Sequence, residues 1–216
     1  MEPTEDGWNL NLEVLGMEHA IAFPLVGSFQ IENALAALGL AIACGAEYGR
    51  AAEMLEVLEG VPGRMEMVAR LPSGARVIVD YAHTPDALKT VLSAARPHVA
   101  RRLTVVFGCG GDRDKGKRPE MGAIAAELAD GVIVTDDNPR HEDAGRIRKE
   151  IAAACPACIE VAGRRDAIGV AVSGLAEGDI LIVAGKGHET GQIIGDEVIP
   201  FCLLYTSDAA DDQACV

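Results

Sequence analysis

The sequence predicts an α/β fold, a Rossmann-like and mostly parallel sheet with helices on both faces. From residue 77 onward, short β-branched apolar runs alternate with longer stretches whose apolar residues recur at helical spacing. The connections between them are short, which suits strand–helix–strand units and a parallel sheet. Four apolar runs also end directly in polar, ligand-like segments. Val77-Ile78-Val79 runs into residues 80–85, Val105-Val106-Phe107 into 108–118, Val132-Ile133-Val134-Thr135 into 136–140, and Leu181-Ile182-Val183 into 185–189. Ligands of open α/β sheets bind beyond the carboxyl ends of the strands, so these segments describe one site.

Residues 8–26 read as two short strands turning near Gly16. A helix follows with Ile31, Leu35, Leu38 and Ile42 at helical spacing, closed by Cys44-Gly45. A second helix covers 49–59 and stops at Gly60, and Val61-Pro62-Gly63 has the composition of a linker between domains. Strand 77–79 then leads to a helix with Ala87, Leu88, Val91, Leu92 and Ala95 on one face. Strand 103–107 leads to a helix opening at Pro119, a favoured first helical position, with Met121, Ile124, Ala125 and Leu128 inward. Strand 132–135 precedes a helix carrying Ile147 and Ile151, and strand 158–161 one carrying Ile168, Val172 and Leu175. Strand 180–183 comes next. Ile193-Ile194 and Val198-Ile199, joined through Gly195-Asp196, read as a closing hairpin.

The 216 residues have room for one good-sized domain and a smaller piece. A net charge of −14 argues against a nucleic-acid partner, since phosphate neutralisation needs clustered Lys and Arg. No apolar run is long enough to span a bilayer. The start, Met1-Glu2-Pro3-Thr4-Glu5-Asp6, has neither the basic residues nor the apolar core of a signal peptide. Six cysteines show no disulfide framework, so a cytoplasmic location is expected. Cys155-Pro156-Ala157-Cys158 has the spacing of a zinc knuckle or redox pair, but without a second Cys/His pair it reads as a helix end running into a strand.

The polar segments carry the chemistry. In Asp137-Asn138-Pro139-Arg140 the proline biases Asn138 away from the α region, so the chain turns directly after the strand. Asn138 can then offer its amide, and Arg140 a planar fork suited to a carboxylate. Residues 108–118 form a Gly-rich loop between strand and helix that resembles a phosphate cradle, though no Gly-Lys-Ser/Thr follows. Gly185-Lys186-Gly187-His188-Glu189 has two glycines permitting close backbone approach and an acid suited to an ammonium group. Arg140 and Glu189 would then clamp a zwitterion. Asp80 and His83 flank another strand end, and Arg64 lies just past the linker. No Ser–His–Asp arrangement or His-Glu-x-x-His signature occurs, so the cluster offers binders, no catalytic residue and no metal site.

Together these segments, with Gly27-Ser28-Phe29, Asn33 and Gly63-Arg64-Met65-Glu66, resemble the Mur ligases of bacterial cell-wall synthesis over residues 8–201. That family activates a carboxylate with ATP and Mg2+ as an acyl phosphate, which an incoming amine attacks to form an amide. The resemblance implies a member that adds meso-diaminopimelate to UDP-N-acetylmuramoyl-L-alanyl-D-glutamate. It implies that Arg113, Asp137, Asn138, Pro139, Arg140, Gly185 and Glu189 bind meso-diaminopimelate. Asn33, Arg64, Asp80 and His83 match positions near the nucleotide, while Gln30 departs from the Asn usual there. The Asn-Pro-Arg form looks like the diaminopimelate-selecting version, because Arg140 can pair with a carboxylate that lysine lacks.

Family members are about twice as long. The resemblance implies that residues 1–60 are the end of a central ATP-binding domain and 61–201 the amino-acid-binding domain. The P-loop, carbamylated lysine and magnesium ligands of the family are then missing, and the fragment is expected to be inactive alone. Residues 202–216 resemble translated sequencing-adaptor read-through and are expected to be foreign to the natural protein. Two other readings are a free-standing amino-acid or nucleotide binding module, and a related lysine-adding or folylpolyglutamate-type ligase.

Overall fold

The computed structural model describes residues 1–201, so the tail at 202–216 lies outside the described residues. The chain divides into two compact units. One comprises Met1–Val61 with Ala94–His98, the other Pro62–Ser93 and the described residues from Val99 onward.

In the first unit, β1 (Glu2–Pro3), β2 (Trp8–Val14) and β3 (Met17–Phe23) form an antiparallel sheet in that order. Leu15 and Gly16 both have positive φ, the geometry that matches a two-residue hairpin to the twist of its strands. Alternation buries Trp8, Leu10, Ile21 and Phe23 against α1 (Ser28–Ala43), which contributes Ile31, Ala34 and Leu38. Leu35, which helical spacing places inward, is 41% exposed. Small Ala34 centres the buried stripe on its own side of Ile31, leaving Leu35 on the flank. The second helix is shorter than its composition suggests. α2 (Tyr48–Glu53) is capped by the Glu47 carboxylate, then tightens into a 3-10 turn over Met54–Val57.

The second unit opens with β4 (Glu66–Arg70), which sequence reasoning missed because a bulge between Met67 and Ala69 breaks its alternation. It continues as β5 (Arg76–Asp80), α3 (Pro85–Ala95), β6 (Leu103–Phe107), α4 (Lys117–Leu128), β7 (Gly131–Val134) and α5 (Ala144–Ala152). Then come β8 (Ile159–Glu160), α6 (Arg164–Ser173), β9 (Ile180–Ala184), β10 (Gly191–Ile194) and β11 (Glu197–Pro200). The main sheet runs β4-β5-β9-β6-β7-β8, with β4 antiparallel at one edge and the other pairs parallel.

One face of this sheet packs Val77, Val79, Val106, Ile133, Leu181 and Val183 on Ala167, Ile168 and Ala171 of α6. Their alternates Ile78, Val105, Phe107, Val134 and Ile182 are also fully buried, so the sheet is covered on both faces. That is why its central strands read as continuous apolar runs. β8 is only two residues long and leaves Ile159 exposed. α4 begins at Lys117, two residues before Pro119, which sits in the first turn where its missing N–H is not needed.

Candidate functional site

β9 returns between β5 and β6, so the carboxyl ends of β5, β9, β6 and β7 are neighbours. Beyond them lies a cleft of about 650 Å³, within the size range of small-molecule sites. Arg113, Asp137, Asn138, Arg140, Gly185 and Glu189 line it, and so does His83. Pro139 is buried, while Arg64 and Asp80 belong to the same unit but not to the cleft wall. Asn33 belongs to the other unit, where it is exposed on α1. That unit has its own groove of about 530 Å³, but its wall is largely alanine and leucine and converges few polar groups.

The turn after β7 is built differently from the sequence expectation. Asn138 does not hold its amide out to a ligand. Its Oδ1 accepts from Lys186 Nζ at 2.8 Å and from the Ile193 N–H at 2.9 Å, while its Nδ2 donates to Glu189 Oε2 at 3.2 Å. Burial accounts for this, because a buried amide left unpaired costs about 1–3 kcal/mol. Asp137 is also buried, with Oδ1 in ion-pair contact with Lys186 Nζ at 3.5 Å and without a hydrogen bond. Its carbonyl accepts from the Gln192 side chain. Pro139 leads into Arg140, held at φ 51 by two backbone bonds to the β10–β11 hairpin, Arg140 N–H to Ile193 O at 3.1 Å and Gly195 N–H to Arg140 O at 2.8 Å. Arg140 Nη1 donates to the Gly111 carbonyl at 2.8 Å, and among the described residues Nε and Nη2 have no partner.

The Gly-rich loop packs under this turn rather than forming an open cradle. The N–H groups of Gly111, Asp112, Gly116 and Arg118 already donate to Asn138 O, Glu142 Oε1, Asp114 Oδ1 and Lys115 O. A Cβ on Gly111 would stand 1.9 Å from the Pro139 carbonyl oxygen, so only glycine allows the two loops to meet. Arg113 is exposed and donates to its neighbour's carbonyl, Asp112 O, at 3.1 Å. Arg118 is fully buried and bridges Glu142 and Glu150 at 2.9 and 2.7 Å. Its guanidinium, with the Asp112 N–H and Lys115, holds the Glu142 carboxyl down to about 2.

Asp80 is expected at a nucleotide, yet both its oxygens are engaged within the protein. Oδ2 accepts from the Met65 N–H at 2.8 Å and Oδ1 from the Ala82 N–H at 2.7 Å. Burial pushes its carboxyl above the usual range against the pull of these bonds. It therefore ties the segment at 63–65 to the end of β5. Met65 takes a positive φ there, and Arg64 lies over the Tyr81 ring at 4.7 Å. Tyr81, half-buried, also stacks with His188 and meets His83 edge-on, an aromatic shelf that sequence reasoning did not single out.

Two buried cations were also missed. Lys186 is fully buried beside the cleft floor, and its position between two glycines after an apolar strand was the available signal. Arg164 opens α6 with 1% exposure and donates to the carbonyls of Asp136 and Ala184. Its desolvation is opposed by Asp137, Glu189 and Asp136 nearby. Nothing in the sequence distinguishes it from a solvated helix arginine. Cys155 and Cys158 are free, and a turn joins them where the Cys158 N–H meets Cys155 O at 3.0 Å. Among the described residues no group of His, Cys, Asp and Glu stands ready to hold a metal, and no helix is long and apolar enough to cross a membrane.

Comparison with known proteins bears on this cleft. The family described as Mur ligase, glutamate ligase domain, matches residues 63–187. A UDP-N-acetylmuramoyl-L-alanyl-D-glutamate–2,6-diaminopimelate ligase of Caulobacter vibrioides is 54% identical over 199 residues, covering 92% of this chain and 41% of that protein. One of the same name from Mesorhizobium japonicum is 56% identical over 190 residues, covering 88% of this chain and 39% of its own length. A solved structure under that name aligns with TM-score 0.78 at 38% identity, over all of this chain and 45% of its own. A folylpolyglutamate synthase of Mycobacterium tuberculosis, at 24% identity and TM-score 0.65 over 83% of this chain and 42% of its own, shares the fold alone. The chain thus spans about two fifths of the length of the curated relatives it matches.

Proposed function

Because this chain belongs to the Mur ligase family, whose members are ATP-dependent ligases, we propose that it is the amino-acid-selecting part of one that adds meso-diaminopimelate to UDP-N-acetylmuramoyl-L-alanyl-D-glutamate. In the complete enzyme, read as cytoplasmic, ATP with Mg2+ would transfer its γ-phosphoryl group to the substrate carboxylate, giving the acyl phosphate and releasing ADP. Residues 1–60 are then the end of its ATP-binding domain, and 61–201 the domain that takes the incoming amino acid.

One observation carries the reading: a single cleft is lined by two guanidinium groups, Arg113 and Arg140, and by the Glu189 carboxylate. Arg140 keeps Nε and Nη2 for a ligand carboxylate. Glu189 keeps Oε1 for a ligand ammonium, since its described bonds all reach Oε2. Diaminopimelate has two carboxylates and two ammonium groups, whereas lysine has only one carboxylate to offer. Asp137, Asn138 and Pro139 shape the turn that presents Arg140, and Gly185 brings the backbone close beneath. Its φ of 113 disfavours any side chain. Arg64 and His83 suit a nucleotide, with Asp80 positioning them through the backbone.

The chain alone forms no amide bond, because its 216 residues contain no Gly-Lys-Ser/Thr phosphate loop to position ATP. Competition of meso-diaminopimelate with L-lysine in the complete ligase tests the specificity. A preference for diaminopimelate of at least roughly tenfold, the value of one modest charge-assisted bond, is expected, and equal use of both would overturn the reading. Turnover by the 216-residue chain on its own would contradict the assignment as a partial enzyme.

A further inference from the structure

Lys186 is a buried charge beside the cleft that the proposed binding scheme does not use. It is fully buried, yet it sits two residues into a loop at a strand end. An ammonium has three protons to donate. All three are taken, by Asn138 Oδ1 at 2.8 Å, Gly191 O at 2.8 Å and Glu189 Oε2 at 3.1 Å. No donor remains for a ligand, so Lys186 cannot be a direct contact.

Its effect passes through its partners. Asn138 Oδ1 receives both Lys186 Nζ and the Ile193 N–H, which forces the amide to turn Nδ2 toward Glu189. Lys186 and Asn138 then hold the same oxygen of Glu189, Oε2, and leave Oε1 without a partner among the described residues. Lys186 also stands 3.5 Å from Asp137, so one buried cation separates two carboxylates that would otherwise repel across the cleft floor. The loop after β7 and the loop after β9 are locked together across the intervening strand β6.

We propose that Lys186 is a positioning residue for amino-acid specificity, fixing Glu189 so that a single carboxylate oxygen faces the ligand ammonium. This inference rests on the reading of the cleft as the diaminopimelate site. In the complete ligase, Lys186→Met raises KM for meso-diaminopimelate at least tenfold and leaves KM for ATP and for the UDP-linked dipeptide within about twofold. Glu189→Gln also raises KM for diaminopimelate, and adding Lys186→Met to it costs less than threefold more, because the group through which Lys186 acts is already neutral.

If Lys186→Met costs the same factor in both backgrounds, or leaves KM for diaminopimelate unchanged, the proposal falls. If Glu189→Gln alone has no effect on that KM, the reading of the cleft fails instead. Lys186→Gln goes through the same cycle should the methionine variant not melt cooperatively. Failure of both variants to fold assigns Lys186 to stability and overturns the proposal.

Discussion

Replacing Arg140 by alanine removes the group proposed to select a second carboxylate. The guanidinium is held by one donor, Nη1, on the Gly111 carbonyl at 2.8 Å, which leaves Nε and Nη2 as the edge available to a ligand. A hydrogen bond between charged groups is worth about 1.5–3 kcal/mol. Loss of one such bond therefore raises KM for meso-diaminopimelate roughly 10- to 150-fold, at 1.4 kcal/mol per factor of ten. The Nη1–Gly111 bond is lost as well, but it steadies the loop whatever the substrate and adds no preference between amino acids. The assay is steady-state ligation by the complete enzyme, with each of the three substrates varied in turn. KM for ATP should stay within about twofold, since Arg140 has no assigned part in nucleotide binding. An unchanged KM for diaminopimelate, or an equal rise for ATP, refutes the argument that Arg140 reads the amino acid.

Other expectations follow from the same contacts. Gly111→Ala forces a Cβ to within 1.9 Å of the Pro139 carbonyl, so the thermal midpoint should fall and the cleft loops shift; Gly39→Ala, in open space on α1, should raise the midpoint, as expected for up to about 1 kcal/mol of helix propensity. An unchanged midpoint for Gly111→Ala would contradict the close approach of the two loops. The Glu142 carboxyl lies at about 2, below its ordinary 4.5, so its contribution is present above 4.5 and is lost as pH falls toward 2. Urea midpoints of the wild type and Glu142→Gln should therefore differ at neutral pH and converge through that window; a constant gap would exclude the Arg118–Glu142 pairing as its source.

Much of the parallel sheet was legible because its strands are buried on both faces and read as continuous apolar runs, as in Val105-Val106-Phe107 and Ile180–Ala184. The edges were not. β4 carries charge at both ends and a bulge in the middle, and β8 is a two-residue remnant with Ile159 exposed. At the site, residue type indicated which segments gather but not which atoms face the cleft. Asn138 and Asp80 look like ligand contacts in sequence, yet burial turns their polar atoms onto neighbouring backbone and side chains. Lys186 and Arg164 look like surface charge, yet they are among the largest fully buried side chains. Most of these choices depend on contacts between segments about 15 to 55 residues apart, which no local pattern encodes.

In the proposed reading, one cleft selects a diamino diacid by placing a carboxylate on Arg140 and an ammonium on Glu189. A crystal structure of the complete ligase with meso-diaminopimelate tests it most directly. A ligand carboxylate within hydrogen-bond distance of Arg140 Nε or Nη2 and a ligand ammonium on Glu189 Oε1 are expected. Density for the amino acid away from both side chains, or with no carboxylate on Arg140 and no ammonium on Glu189, would contradict it.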